Sequence, residues 1–172
     1  MSKRLSLICL VMLVAACNLA LATEQGKPIN GEQAFAKMKT LVGRWEATTT
    51  QGKKAVLNVE MVSSNTALLE RFVVEGEENM VTLYHLDRGH LMLTHYCAAN
   101  NQPRMRAVSY SPESGTLQFA FLDATNLASP NDGHMHRAVF KFVDDNNFTT
   151  EWTFRKDQKD TFTEELRYTR KQ

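Results

Sequence analysis

Thr82-Leu83-Tyr84-His85-Leu86-Asp87-Arg88-Gly89-His90-Leu91-Met92-Leu93-Thr94-His95-Tyr96-Cys97 reads as two short strands joined by a tight turn. Apolar side chains alternate on both sides of Asp87-Arg88-Gly89, and a glycine supplies the positive φ such a turn needs. A two-residue loop pairs Asp87 with His90 and puts Thr82, Tyr84 and Leu86 on one face with Leu91, Leu93, His95 and Cys97. His85, Met92 and Thr94 then lie opposite; a three-residue loop would shift this register. The same punctuation repeats outward in both directions. Turn clusters fall at residues 51–54, 63–65, 76–79, 87–89, 100–103, 111–115, 125–133, 144–147 and 156–160, so nine turns separate ten strands. Gly52, Gly76, Gly89, Gly115 and Gly133 lie in these turns. Ahead of the series, residues 28–41 read as a helix, with Ala34, Phe35, Met38 and Leu41 at three- and four-residue spacing and Gly43 as the stop. The expected fold is all-β: an up-and-down antiparallel β-barrel of about eight to ten strands with a short N-terminal helix over one end.

The alternation also nominates an interior. Leu117, Phe119 and Phe121 share a face, as do Phe148, Thr150, Trp152 and Phe154. His134, His136, Ala138, Phe140 and Phe142 form a third such set. Bulky rings mixed with His, Thr and Tyr describe a cavity that is mostly apolar with a few polar groups, the usual make-up of a ligand site. Tyr84, His95, Phe119, Phe121, His136, Phe140 and Trp152 are expected to line it. The polar loop Asn100-Asn101-Gln102-Pro103-Arg104 would stand at the mouth, with Arg104 or Arg106 holding a polar head such as a carboxylate. The expected partner is a small hydrophobic or amphipathic ligand.

Residues 1–22 carry an export signature: Lys3 and Arg4, an apolar run from Leu5 to Ala16 too short for a permanent span, and the small-residue site Ala20-Leu21-Ala22. A competing site, Val14-Ala15-Ala16-Cys17, fits a bacterial lipobox that would make Cys17 the anchor and the only membrane attachment. Both readings place a single domain, residues 23–172, outside the cytoplasm, periplasmic or secreted, or tethered as a lipoprotein. That domain holds 18 Lys and Arg against 19 Asp and Glu, a net charge of −1, which argues against nucleic acid as partner. Cys9 and Cys17 belong to the signal, so Cys97 has no internal disulfide partner. The sequence sets no oligomeric state.

Gly43-Arg44-Trp45 after a short helix resembles the Gly-x-Trp that opens the first strand of the calycin superfamily, the lipocalin and fatty-acid-binding barrels. The resemblance implies that Trp45 closes one barrel end and that an Arg of the last strand, Arg167 or Arg170, packs over it. The stretch from Tyr84 to Met105 is also similar to a family of uncharacterised exported bacterial proteins, which implies fold and compartment but no activity. Haem-binding barrels of the nitrobindin type have a Gly-rich first strand after the Trp and a ligating His late in the chain. Here Trp45 is followed by Glu46-Ala47-Thr48-Thr49-Thr50 and no His follows His136, which counts against haem.

Two further patterns bear on chemistry. His134 and His136, at i and i+2 of a strand, would point the same way roughly 7 Å apart at Cα. Together with His95 and Cys97 they form the candidate set for zinc or copper, as a metal-binding protein or metal-dependent enzyme. His95 and Cys97 alone would suit a Cys–His nucleophile, but no orienting Asp or Asn and no oxyanion site accompanies them. No complete catalytic motif is present, and a binding protein is the expectation.

Overall fold

A computed structural model describes residues 29–77 and 79–171. The signal sequence and Cys17 lie outside the described residues. Helix α1 (Gly31–Lys39) is followed by ten strands: β1 (Gly43–Thr48), β2 (Lys54–Val62), β3 (Ala67–Val74), β4 (Met80–Asp87), β5 (His90–Tyr96), β6 (Gln102–Ser111), β7 (Thr116–Thr125), β8 (His134–Phe142), β9 (Asn147–Lys156) and β10 (Lys159–Lys171). Each strand pairs antiparallel with its neighbours in sequence, and β1 pairs with β10 through Trp45 and Arg170, closing the barrel. Among the described residues, closure leaves no free sheet edge.

The helix is shorter than its apolar spacing suggests because capping sets its ends. The Asn30 side chain accepts from the Gln33 amide at 3.0 Å, so the first turn starts at Gly31. At the other end the amides of Thr40, Leu41 and Val42 bond to carbonyls three residues back, tightening the chain into the turn before Gly43. Ala34, Phe35 and Met38 are buried on the inner face. Gly31 allows the landing on the β4–β5 turn: a Cβ there would lie 2.1 Å from the Gly89 carbonyl oxygen.

The β4–β5 hairpin forms the two-residue loop, with Asp87 opposite His90, Tyr84 opposite Leu93 and Thr82 opposite His95. Arg88 and Gly89 both have positive φ, 48° and 80°, which is what a turn of the I′ kind demands. The inward set of β9 is also as the alternation implies, with Phe148, Thr150 and Trp152 buried.

The interior divides into two halves. At the α1 end Trp45, Tyr84, Phe119, Phe140 and Phe148 are fully buried and in ring contact. Trp45 meets Phe148 edge-on at 4.7 Å, its indole N–H donates to the Leu41 carbonyl at 2.7 Å, and Phe148 stacks on Tyr168 at 4.5 Å. Arg170 caps this end, with its guanidinium 4.0 Å from the Trp45 ring centroid. It donates to the carbonyls of Thr40, Val42 and Asp145, tying the end of α1, β1 and the β8–β9 turn together. Arg170→Met keeps the stem and removes all three bonds. The expected cost is about 1–2 kcal/mol, with faster amide exchange at residues 41–43 as the local readout.

The other half, ringed by the β1–β2, β3–β4, β5–β6, β7–β8 and β9–β10 turns, is open. Among the described residues no helix is long and apolar enough to cross a membrane.

Candidate functional site

The open half holds two connected cavities. The outer one, about 280 Å³, is lined by Thr49, Gln51, Phe72, Val74, Glu77, Met80, Cys97, Ala98, Ala99, Met135, Phe154, Phe162 and Glu164. The inner one, about 60 Å³, shares Phe72, Met80, Met135 and Glu164 and adds Glu70, His95, Trp152, Leu166 and Tyr168. Met80, Met135 and Phe72 contribute to both. A larger concavity of about 590 Å³ lies outside the barrel across β1, β2 and β10, walled by charged side chains such as Arg44, Glu46, Lys54 and Lys171. It lacks the enclosure that apolar ligands require.

The floor of the inner cavity is a polar row across three strands. The ladders set Glu70 opposite Thr82 and Thr82 opposite His95, so same-face neighbours fall within hydrogen-bonding reach. Tyr84 donates to one Glu70 carboxyl oxygen at 2.8 Å, and Thr82 lies 3.4 Å from the other. The Thr82 hydroxyl is also 3.0 Å from His95 Nδ1. All four side chains are buried. Burial pushes the Glu70 carboxyl up to about 7, with the Tyr84 and Thr82 hydrogen bonds offsetting only part of the rise. Burial pushes the His95 imidazole down to about 4, so it is neutral at physiological pH. Its Nε2 is buried and has no protein hydrogen-bond partner among the described residues, while the ring packs against Trp152 at 4.9 Å.

The residues expected from sequence scatter over three places. His95 and Trp152 border the inner cavity. Tyr84, Phe119 and Phe140 are inside the barrel but belong to the packed half; of these only Tyr84 reaches the polar floor, through its hydroxyl. Phe121 and His136 border neither cavity. A bulge between Met135 and Arg137 in the β8–β9 pairing breaks the period, so Met135 faces Phe154 at the cavity in the place that strict alternation gives to His136. The β7–β8 ladder ends at Ala120 and Arg137, and Phe121, His134 and His136 stack in the seam beyond it. His134 Nδ1 contacts the Asp132 carbonyl at 2.8 Å, and its Nε2 is 3.2 Å from His136 Nδ1. Burial, with Arg155 and His134 nearby, lowers the His136 imidazole.

Arg104 and Arg106 are exposed on the outer face, flanking inward-facing Met105, so neither reaches the cavity. Arg104 forms a two-pronged ion pair with Asp123 on β7 instead. Cys97 lines the outer cavity half-buried, with its thiol pushed up by burial, away from thiolate character. The four candidate metal ligands thus divide between lumen and seam. Among the described residues no three His, Cys, Asp or Glu side chains converge on a common cation position.

Glu70 was missed from sequence, although a signal exists: Leu68, Glu70, Phe72 and Val74 share one face at period two, and a carboxylate within an apolar set invites a functional question.

No family profile matches the chain, and no curated protein does. Solved structures similar to the chain include the following two. Rv2717c from M. tuberculosis superposes with a TM-score of 0.54 at 10% identity, covering 85% of this chain and 100% of that one. A protein of unknown function from the DUF3598 family of Nostoc punctiforme PCC 73102 gives a TM-score of 0.52 at 8% identity, covering 78% of this chain and 49% of that chain. This chain therefore spans only about half the length of the Nostoc protein. At these identities the likeness concerns architecture alone: a closed ten-stranded antiparallel barrel, consistent with a calycin-like fold.

Proposed function

We propose that this protein is an exported binding protein that admits a small, partly apolar ligand through the open end of its barrel. The observation that carries this reading is the graded cavity: an outer chamber of about 280 Å³ walled by Phe72, Met80, Met135 and Phe154, narrowing to a polar floor at His95. Pliable methionines and flat rings adapt to apolar bodies, and a few buried polar atoms fix orientation. The basic, then apolar, N-terminal segment with its small-residue site supports export. The thiol of Cys97 is one wall element of this chamber rather than a nucleophile, because burial holds it protonated.

Met80 borders both cavities, so Met80→Trp would plug the passage between them. N-phenyl-1-naphthylamine, a neutral fluorescent probe, is expected to bind the wild type and to bind Met80→Trp about tenfold or more weakly, a change of about 1.4 kcal/mol. Arg104→Ala, which alters the outer surface only, is expected to leave probe binding unchanged. Equal binding by all three proteins would remove the lumen as the site.

A further inference from the structure

We propose that the inner cavity seats the ammonium head of a primary amine, with its N–H donated to His95 Nε2 and its charge matched by Glu70. The proposal rests on the barrel-binding reading above and names the ligand class.

Three observations converge on it. The first is the unpartnered nitrogen. His95 is 6% exposed and borders the inner cavity, and its Nδ1 edge is held against the barrel wall by Thr82. The Nε2 edge therefore turns away from that wall, where it has no hydrogen-bond partner among the described residues. A buried polar atom left unpaired costs about 1–3 kcal/mol, and a ligand donor would recover it.

The second is the polarity of the row. An ionised Glu70 only accepts, so Thr82 gives its single hydroxyl hydrogen to the carboxylate and takes the Nδ1 hydrogen of His95. That arrangement leaves Nε2 as a bare acceptor. The floor then asks for a donor, which a carboxylate ligand lacks.

The third is charge. Glu70 and Glu164 border the inner cavity, and among the described residues no Lys or Arg lines either chamber. Glu70 is held by the neutral donors Tyr84 and Thr82, and Glu164 by the amide and hydroxyl of Thr50 at 3.0 and 2.7 Å. Glu77 at the mouth is the exception, paired with Lys53 at 2.6 Å. A cation entering this space meets uncompensated carboxylates and the rings of Trp152 and Tyr168. An anion meets repulsion with nothing to offset it. The inner volume of about 60 Å³ holds about two non-hydrogen atoms at roughly 30 Å³ each, enough for an ammonium and its first methylene, with the remaining apolar body in the outer chamber.

The test uses three six-carbon probes that share a tail and differ in head: hexylamine, hexanol and hexanoate, titrated calorimetrically into the purified chain at about pH 8, where an alkylamine is protonated. Hexylamine is expected to bind about tenfold tighter than hexanol and still tighter than hexanoate. In Glu70→Gln the advantage of hexylamine over hexanol should vanish. Should that variant fold poorly, nitrogen NMR of His95 in the wild type serves instead: Nε2 should move on adding hexylamine while Nδ1 stays protonated. If hexanol or hexanoate binds as well as hexylamine, or if hexylamine binds without moving His95, the amine head is overturned and the barrel remains a container. If none of the three binds, both the head and the container reading fall.

Discussion

Replacing Trp45 with alanine is expected to lower unfolding stability by about 3–5 kcal/mol and the melting temperature by roughly 10–15 °C for a domain of this size. Trp45 is 1% exposed. Its removal takes away the edge contact to Phe148, the hydrogen bond to Leu41 and the surface on which the Arg170 guanidinium rests. The void would open where α1, β1 and β10 meet, a place held by three elements that cannot all collapse inward. The matching control is Phe162→Ala at the open end. Phe162 is 51% exposed and stacks on Phe154 at 5.1 Å, so its loss should cost only about 0.5 kcal/mol. Urea unfolding of the two variants measures the difference. Similar losses for both would mean that the core is spread evenly through the barrel, and the division into a packed half and a receptive half would be wrong.

The second large effect concerns pH. Glu70 rises from 4.5 unfolded to about 7 folded, so the native state holds its proton more tightly. Its contribution is full below pH 4.5 and is lost as pH climbs to about 7, a fall of about 3 kcal/mol. His95 drops from 6.5 to about 4, so the native state resists its protonation. Its contribution is present above pH 6.5 and lost as pH falls to about 4, again by about 3 kcal/mol. The two slopes oppose each other over nearly the same window and largely cancel in the wild type. Glu70→Gln is therefore expected to show stability rising with pH between about 4 and 6.5, and His95→Gln to show stability falling between about 4.5 and 7. Subtracting the wild-type profile removes the titration of surface carboxylates such as Asp144 and Asp160, which are common to all three proteins. Parallel profiles would show that these two groups titrate alike in the folded and unfolded chains, and the buried polar row would lose its energetic basis.

The consequence for ligand binding is that the floor of the cavity is costly to maintain. A carboxyl and an imidazole held out of water are each disfavoured in their charged forms, and an unpaired Nε2 adds to the cost. Proteins keep such groups where a site needs them. The packed half around Trp45 and Phe148 supplies the stability against which that cost is set.

Much of the architecture was legible because its signals are local. A turn requiring positive φ selects Gly or a few polar residues, so Arg88-Gly89 announced the β4–β5 hairpin and its register. That register in turn puts Thr82, Tyr84, Leu93 and His95 on one face. The tryptophan after Gly43 and an arginine near the C-terminus met as the calycin resemblance implied, with Arg170 in that role.

Part of what failed to show in sequence has a plain physical origin: period-two reasoning assumes an unbroken ladder. A bulge costs one residue and reverses every assignment beyond it. Strict alternation accordingly puts Phe121 and His136 in the lumen, whereas both lie with His134 in the β7–β8 seam, and Met135 takes the inward position. Arg104 and Arg106 were assigned by their loop, but the Met105 side chain between them claims the interior, and both arginines face outward.

The chain alone thus determined the antiparallel order and the hairpin that carries His95, since each depends on neighbours in sequence or on a turn's own dihedral demands; Trp45 as the closing residue is what the calycin resemblance implied. Only the folded barrel decided that Glu70, Thr82 and His95 form one row, that β8 is bulged, and that one half is filled while the other stays hollow. Those outcomes depend on which strands lie side by side and on how side-chain volumes from all ten share a common interior, quantities that no single segment encodes.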